Sequence, residues 1–473
     1  MKQAHYEKLT SLWQWLRLAS LHRLEVLLFI CLWLGYGAAI NSDNLLKFNL
    51  QQIGVEAIVE RHQFYLEGSN VPELWPGGDV FLFDGHKFAA KQPGQAMAGA
   101  VVYRVLGALG LRYATNYLLT SALVTFFTTS FMLALSAAAV FGISRRLIKD
   151  PQTLFWPLVT TFAYALGTTI LAYSGIPHHD ALATAYLVLA FYLIFDLPRG
   201  GWDGRREMLR SAGAGLLLGL AVTTSMLVFL MAIVCAIYFL WSRRWRLVPF
   251  FALAFVIGLL PLFIYDARSF GNPFLLPNVA GAYMFADTFF QFDPKNFGEK
   301  IILYAKTLIV YAPVLALGLL GLSYYPRALR RRTFFPTLIA LLMVLVVFIT
   351  NIKTVGDCQF GPRYLMPAMP FACLGIAGYS HLATVAERRW AGWLLLLVSF
   401  WSFLINLVGA LQGAMNCPDG GNAMSNQLRA LIHGEMRSFP LARWLLVPLV
   451  ICFALLVWNL LLQKNEARDQ PGH

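Results

Sequence analysis

Long apolar runs separated by short polar connections dominate the chain, and their lengths predict the elements. A membrane-crossing helix needs about 20 mostly apolar residues, because only a helix satisfies its own backbone in hydrocarbon. By that measure a first span is predicted at about Leu24–Ile40, a second at roughly Tyr117–Ile143 and a third at about Leu154–Tyr173, while a fourth runs on to Pro198. The run Ala212–Trp241 is too long for one helix, and Thr223-Thr224-Ser225 within it predicts an outward turn between two short spans. A seventh span is predicted near Val248–Tyr265, an eighth ending at Arg327, and a ninth over Phe335–Thr350. A tenth starts at about Tyr364 and returns at Arg388-Arg389, an eleventh reaches Met415, and a twelfth ends near Lys464. The expectation is an all-α bundle of about twelve spans.

One polar interruption is far longer than the rest, from Asn41 to about Leu111. It opens with Asn41-Ser42-Asp43-Asn44 and closes with the stretch Phe83 to Gln95, just before another apolar segment. Inside it Val55–Glu60 predicts a short helix, and Pro72, Trp75, Pro76, Gly77 and Gly78 read as turns. Gln95–Leu111 is apolar over much of its length yet carries Arg104, which predicts a helix lying at the membrane surface; a true span is the alternative. A second long outer loop follows Tyr265, with Phe285, Phe289, Phe290, Phe292 and Phe297 either covering a substrate or packing on the membrane surface. The organisation expected is an amino-terminal segment with the first span (1–40), an outer loop with interfacial helices (41–115), the remaining spans (116–463) and a tail (464–473). Further outer loops are expected at 266–303, 351–362 and 412–441.

Composition agrees with a membrane protein: 58% of the 473 residues are hydrophobic and 13% charged, with mean hydropathy +0.61. The formal charge of +13 would suit nucleic acid in a soluble protein. Here the basic residues cluster in short connections, as in Arg145-Arg146, Arg205-Arg206, Arg243-Arg244 and Arg330-Arg331-Arg332, and all fall on one side of the predicted topology. The charge is therefore topological, no nucleic-acid partner is implied, and both termini are expected to be cytoplasmic. Lys2, Lys8, Arg17 and Arg23 precede the first apolar run, which favours a retained span over a cleaved signal. Cys31, Cys235, Cys373 and Cys452 lie in apolar runs as packing residues, while Cys358 and Cys417 fall in outer loops and are candidates for a disulfide.

In this topology Asp43, Asp180, Asp266 and Asp357 emerge at the outer ends of different spans, as do Lys91, His178, His179, Lys353 and Arg363. Ionisable groups beside hydrocarbon are costly, and their gathering at one rim points to a site; ordinary interfacial pairing is the alternative for any one of them. Lys91-Gln92-Pro93-Gly94 joins a positive charge to a turn that allows close backbone approach, which suits a phosphate at headgroup level. Gly361-Pro362-Arg363-Tyr364 presents a guanidinium fork that suits the same group; a snorkelling anchor is the alternative for each. His178-His179-Asp180 has metal-ligating residue types, but neighbours at a helix start point in different directions, so hydrogen bonding is favoured and no metal is indicated. There is no Asp-x-Asp, no phosphate-cradling Walker loop and no His-Glu-x-x-His.

Three stretches together resemble the bacterial GT-C membrane glycosyltransferases, the group that includes protein O-mannosyltransferases and aminoarabinose transferases. They are Ser42-Asp43, the segment Gly85 to Gly94, and Gly361 to Pro370. The resemblance implies a GT-C fold in a bacterial inner membrane, with the active site facing the periplasm. It implies transfer of a hexosyl or pentosyl group from a polyprenyl-phosphate donor to a lipid, glycan or protein acceptor. Asp43 then matches the acidic residue acting as base and Lys91 the donor-phosphate ligand, joined by Arg363; His86, His178, His179, Asp180 and Tyr364 are candidates for substrate binding. Asp43 is followed by Asn44, where members of the group often carry a second acid. The chemistry fits: a carboxylate takes the acceptor proton and positive charge meets the leaving phosphate, which needs no acid partner; no cofactor is indicated, and a divalent metal stays open as an addition. A multi-span transporter or lipid-linked sugar flippase is the competing reading, although carriers place their charges near the bilayer midplane. A non-catalytic membrane assembly factor is the third.

Overall fold

Helices make up nearly all of the regular structure. The computed structural model describes residues 23–75, 78–148, 153–195, 204–241, 245–292, 294–330, 334–355, 359–415, 423–435 and 437–468. Among them four helices are long and apolar enough to cross a membrane: Tyr117–Leu147, Trp245–Phe270, Val385–Gln412 and Ala442–Leu462. A fifth crossing is added if Asn296–Tyr311 and Val314–Tyr324, bent by 110° at the break, act as one. His179–Ile194, Met226–Trp241 and Phe334–Thr350 are shorter apolar helices. The bundle is thus helical and membrane-spanning in character, and the expected count of about twelve spans is not confirmed by the long helices among the described residues.

The breaks have local causes. The predicted third span stops at Ala165 and resumes only as Ile170–Tyr173; between them the Thr168 hydroxyl donates to the Tyr164 carbonyl at 2.7 Å. The predicted tenth span is no regular helix: 3₁₀ turns at Arg363–Ala368 and Leu374–His381 flank a short α-helix, Met369–Cys373. Pro367 and Pro370 remove two backbone donors. Gly375 and Gly378 let this segment lie against the backbone carbonyls of Gly318 and Gly321, where no side chain would fit. A turn is present at Thr223–Ser225, as expected: the helix Gly204–Thr224 ends there and Phe229–Trp241 leaves from it. Gly215, Gly219 and Gly258 bring the helices Gly204–Thr224 and Val248–Phe270 into backbone contact.

The helix Tyr117–Leu147 contains one widened π turn, Phe126–Ser130. Trp33 Nε1 donates to the Phe126 carbonyl at 2.9 Å and Ser130 Oγ to the Ser174 carbonyl at 2.7 Å, so the irregular turn ties two neighbouring segments to this helix. Its far end carries Arg145, which pairs with Glu25 at 3.3 Å. Arg146, Arg206 and Arg210 come close enough there for their charges to act on one another.

The long polar segment holds more structure than its sequence led one to expect. In place of one short helix at Val55–Glu60 there are two, Ser42–Lys47 and Asn49–Glu60. They are followed by an antiparallel hairpin, β1 (Val80–Phe83) with β2 (His86–Ala89), in the register Val80↔Ala89 to Phe83↔His86. Asp84 and Gly85 turn the hairpin with φ of 48° and 78°, the left-handed pair that a two-residue hairpin loop needs. The helix Gly94–Ala108 packs Gly99 on Val55 and turns Val101, Arg104, Val105 and Leu109 outward. Ile53, Val55, Leu66, Leu74, Tyr103 and Tyr113 form a core of this region's own. The aromatic loop after Tyr265 packs partly on the hairpin: Phe285 meets Phe81, and the Tyr283 hydroxyl bonds the Leu82 backbone at 2.8 Å and 3.1 Å.

Candidate active site

Folding the hairpin brings its two flanks together at the base. Ala90 N–H donates to the Asp79 carbonyl at 2.9 Å, and one residue further on Lys91 Nζ lies 3.2 Å from Asp79 Oδ2. Gln92 Nε2 donates to Asn278 Oδ1 at 3.1 Å. Gly94 sits so close to Thr223 and Thr224 that a Cβ would fall 2.7 Å from the Thr224 Cα, which explains the glycine. Lys91 is thereby held beside the end of the helix Gly204–Thr224. Burial raises the Asp79 carboxyl, but the Lys91 charge and hydrogen bond, then Arg363 and His179, outweigh it and hold the group below its ordinary value.

Next to this base stands the start of the helix His179–Ile194. His178 is its N-cap, extended at φ −109° and ψ 124°, and its Nδ1 accepts from Asp180 N–H at 3.2 Å. Because the cap residue is not helical, the His178 and His179 rings stack, 4.6 Å apart and 18° from parallel, instead of pointing apart as expected. His179 Nε2 lies 3.4 Å from Asp180 Oδ1, and Ser225 Oγ donates to that same oxygen at 2.7 Å, while the buried Oδ2 has no hydrogen-bond partner. The Tyr173 ring meets His178 edge-on at 4.9 Å, and its hydroxyl donates to Gln359 Oε1 at 3.2 Å.

Arg363 approaches the same ground from the broken tenth segment. Gly361, at φ 73° and against the Thr169 methyl and the Tyr311 ring, turns the chain just before it. The Arg363 side chain is buried, with the residue only 8% exposed; Nη2 donates to the Tyr364 hydroxyl at 3.0 Å and the guanidinium lies 4.7 Å from that ring's centroid. Its Nε has no hydrogen-bond partner, and among the described residues no carboxylate stands within ion-pair distance. The carboxylates whose charge reaches it from further off are Asp180 and Asp79. A buried guanidinium left without an acid is costly, so this arrangement can receive an anion.

Asp43 lies on the other side of His178. Asn41 caps its helix, accepting from Asn44 N–H at 2.9 Å, and Lys47 Nζ sits 3.0 Å from Asp43 Oδ2. Gly413, at φ 104°, leaves the carboxylate its space: a Cβ there would be 2.6 Å from Asp43 Oδ2. Asn44 Oδ1 accepts from Ala414 N–H at 2.8 Å, and Gln359 bridges to Met415, so this corner is tied to the strand-like run leading into Arg363. Phe48, one residue past the same helix, places its ring 5.8 Å from His178. Asp43 makes no ion pair with Lys91 or Arg363; the His178 and Gln359 contacts are what join the two sides.

The remaining candidates divide. Tyr364 joins the cluster through Arg363. His86 does not: half-exposed on β2, it bonds Glu67 Oε1 at 2.6 Å and stacks on Tyr65 at 4.3 Å. Lys353 pairs with Asp287 at 3.4 Å in the open. Asp266, expected at the outer end of its span, lies near the end of its helix but is fully buried, and neither carboxylate oxygen has a hydrogen-bond partner. Asp357, Cys358 and Cys417 lie outside the described residues. Asp79, Tyr173, Ser225 and Gln359 belong to the cluster and escaped the sequence reading. Asp79 follows turn residues, and Ser225 and Tyr173 sit at helix ends where only tertiary contact shows their use.

No protein-family model matches the chain, and no curated protein does. Solved structures do. ArnT from Cupriavidus metallidurans bound to undecaprenyl phosphate aligns at TM-score 0.51 and 14% identity over 96% of this chain and 73% of ArnT. Its apo state aligns at TM-score 0.52 and 15% identity over the same shares. At such identity the likeness establishes the fold, and it is the GT-C fold that the sequence resemblance implied.

Proposed function

We propose that the protein is a membrane glycosyltransferase that moves a hexosyl or pentosyl group from a polyprenyl-phosphate donor to an acceptor hydroxyl. The observation that carries this reading is Arg363, a buried guanidinium with no acid beside it among the described residues, facing ground shared with Lys91, Asp79 and Asp180. Positive charge in a dry site favours an anion, and a phosphate that becomes the leaving group gains most from it. The shared fold with an ArnT structure that holds undecaprenyl phosphate supports a lipid-borne phosphate over a soluble one.

In this reading the donor phosphate sits between Lys91 and Arg363, with the polyprenyl tail among the helices. The acceptor oxygen attacks the anomeric carbon, the carbon–oxygen bond to phosphate breaks, and the phosphate keeps the electron pair. Asp43 takes the acceptor proton, with its carboxylate held in place by the Lys47 contact at 3.0 Å. Asp180, fixed by Ser225, has one oxygen left to accept from a sugar hydroxyl.

The level of the site suits a lipid substrate. From Ser130, bonded to Ser174 beside the histidines, to Arg146 runs about 24 Å of helix at 1.5 Å per residue, close to a hydrocarbon thickness of about 30 Å. With the arginine end in the cytoplasm, the site opens at the outer headgroup level of a bacterial inner membrane and both termini lie inside. Residues 41–115 then form the outer loop that carries Asp43 and Lys91.

The test is to incubate purified protein in nanodiscs with a panel of polyprenyl-phosphate sugars and to follow released lipid phosphate and glycosylated product. Release with at least one donor is expected. Movement of intact donor across the bilayer with no release, for every donor tried, would replace the enzyme by a flippase.

A further inference from the structure

A cleft of about 510 Å³ opens beside the hairpin, walled by the chain after the helix Asn49–Glu60, the inner face of the hairpin and the end of the helix Val248–Phe270. None of the phosphate-site residues lines it. We propose that it is a saccharide-binding pocket that holds a sugar ring of a glycan acceptor, with Arg268 and Asp84 as its hydroxyl-binding groups; this rests on the transferase reading above.

Phe64, Tyr65 and Phe83 supply aromatic wall. Tyr65 and His86 stack at 4.3 Å and 20°, and Glu67 clamps the pair from behind, with Oε1 2.6 Å from His86 Nδ1 and Oε2 accepting Lys87 N–H at 3.0 Å. Burial raises the Glu67 carboxyl, but the hydrogen bonds from His86, from its own backbone and from Lys87 N–H together outweigh it and lower the group from its ordinary value, so the clamp stays charged. Flat rings held rigid in this way suit the apolar face of a pyranose, which they can cover at little entropic cost. Asp84 and Arg268 line the same cleft, and among the described residues neither side chain has an ion-pair or hydrogen-bond partner. An unpaired carboxylate and an unpaired guanidinium around aromatic walls offer acceptors and donors to the hydroxyls of one neutral or weakly charged ring. The volume falls within the range of about 300–1,000 Å³ typical of small-molecule sites and suits one or two sugar residues.

The cleft and the phosphate site share the hairpin: its face lines one and its base, through Asp79 and Lys91, belongs to the other. A glycan seated here would lie against the same element that carries Lys91 at its base.

The test is saturation-transfer NMR and calorimetry on the full chain in nanodiscs without donor. The probes are methyl β-D-glucopyranoside, N-acetylglucosamine and glucuronic acid. At least one should bind, and Arg268→Ala and Asp84→Ala should each weaken it by about 10-fold or more, as loss of a charge-assisted hydrogen bond does. Arg268→Ala should keep its affinity for undecaprenyl phosphate, which checks its folding, and Lys91→Ala should keep its affinity for the sugar. Absence of binding by all three probes, or wild-type affinity in both cleft variants, overturns the pocket. Sugar binding that depends on Arg268 in a protein that releases no lipid phosphate leaves the pocket standing and removes the transferase.

Discussion

At the scale of single residues, the site is organised by which charges have partners. Asp43 and Asp79 each hold a lysine, whereas among the described residues Arg363 holds only the hydroxyl of Tyr364. Asp43→Asn should lower transfer by about 10²–10⁴-fold with an unchanged unfolding temperature, since a general base typically contributes that much; retained turnover would free Asp43 of the role. Arg363→Ala should weaken donor binding by about 10–100-fold, read as a rise in donor KM, and Arg363→Lys should recover only part because a lysine cannot bond an anion with a planar fork. The Asp79 carboxyl, held below its ordinary value, gives a pH test. A depressed acid stabilises the fold above its unfolded pKa, about 3.9 for Asp, and loses that contribution as pH falls through the folded value. The unfolding temperatures of wild type and Asp79→Asn should therefore differ by a constant amount above about pH 5 and converge below about pH 4.

At the scale of elements, the hairpin and the glycine contacts decide where those charges go. Asp84-Gly85 between Val80–Phe83 and His86–Ala89 is a hairpin signal that could have been read in the chain, yet the surrounding Pro and Gly made the segment look like a run of turns. The broken tenth segment was legible in Pro367 and Pro370, but its apolar length argued for a span. What could not be read was the purpose of Gly413, whose missing side chain makes room for Asp43 from 370 positions away in the chain. Gly413→Ala should displace the carboxylate and strain the backbone at φ 104°, so kcat should fall about 10-fold or more while donor affinity holds. A Gly413→Ala enzyme with full kcat would show that the carboxylate's position does not matter. Gly219→Leu acts elsewhere: it pushes the helix Gly204–Thr224 off Val248–Phe270 and should cost about 1–3 kcal/mol or more, seen as early unfolding.

At the scale of the whole molecule, the fold sets a polar pole against an arginine pole, with the apolar bundle between. If a polyprenyl phosphate binds at the polar pole, it should stabilise the folded protein by about 2.7 kcal/mol at a hundred times its Kd, because it binds the native state alone. A thermal shift with undecaprenyl phosphate that disappears in the double variant Lys91→Ala, Arg363→Ala is the expected result; an equal shift in both proteins would place the lipid elsewhere. The membrane character, the helical class and the stretches that carry polar chemistry were all determined by the sequence alone. They depend on the length of apolar runs and on local turn chemistry, which each segment expresses by itself. Only the tertiary structure decided that Asp79, Lys91, His178, His179, Asp180, Ser225 and Arg363 stand together and that His86 stands apart. Such proximity comes from contacts between segments far apart in the chain, through backbone approaches and single hydrogen bonds that leave no periodic trace in the order of residues.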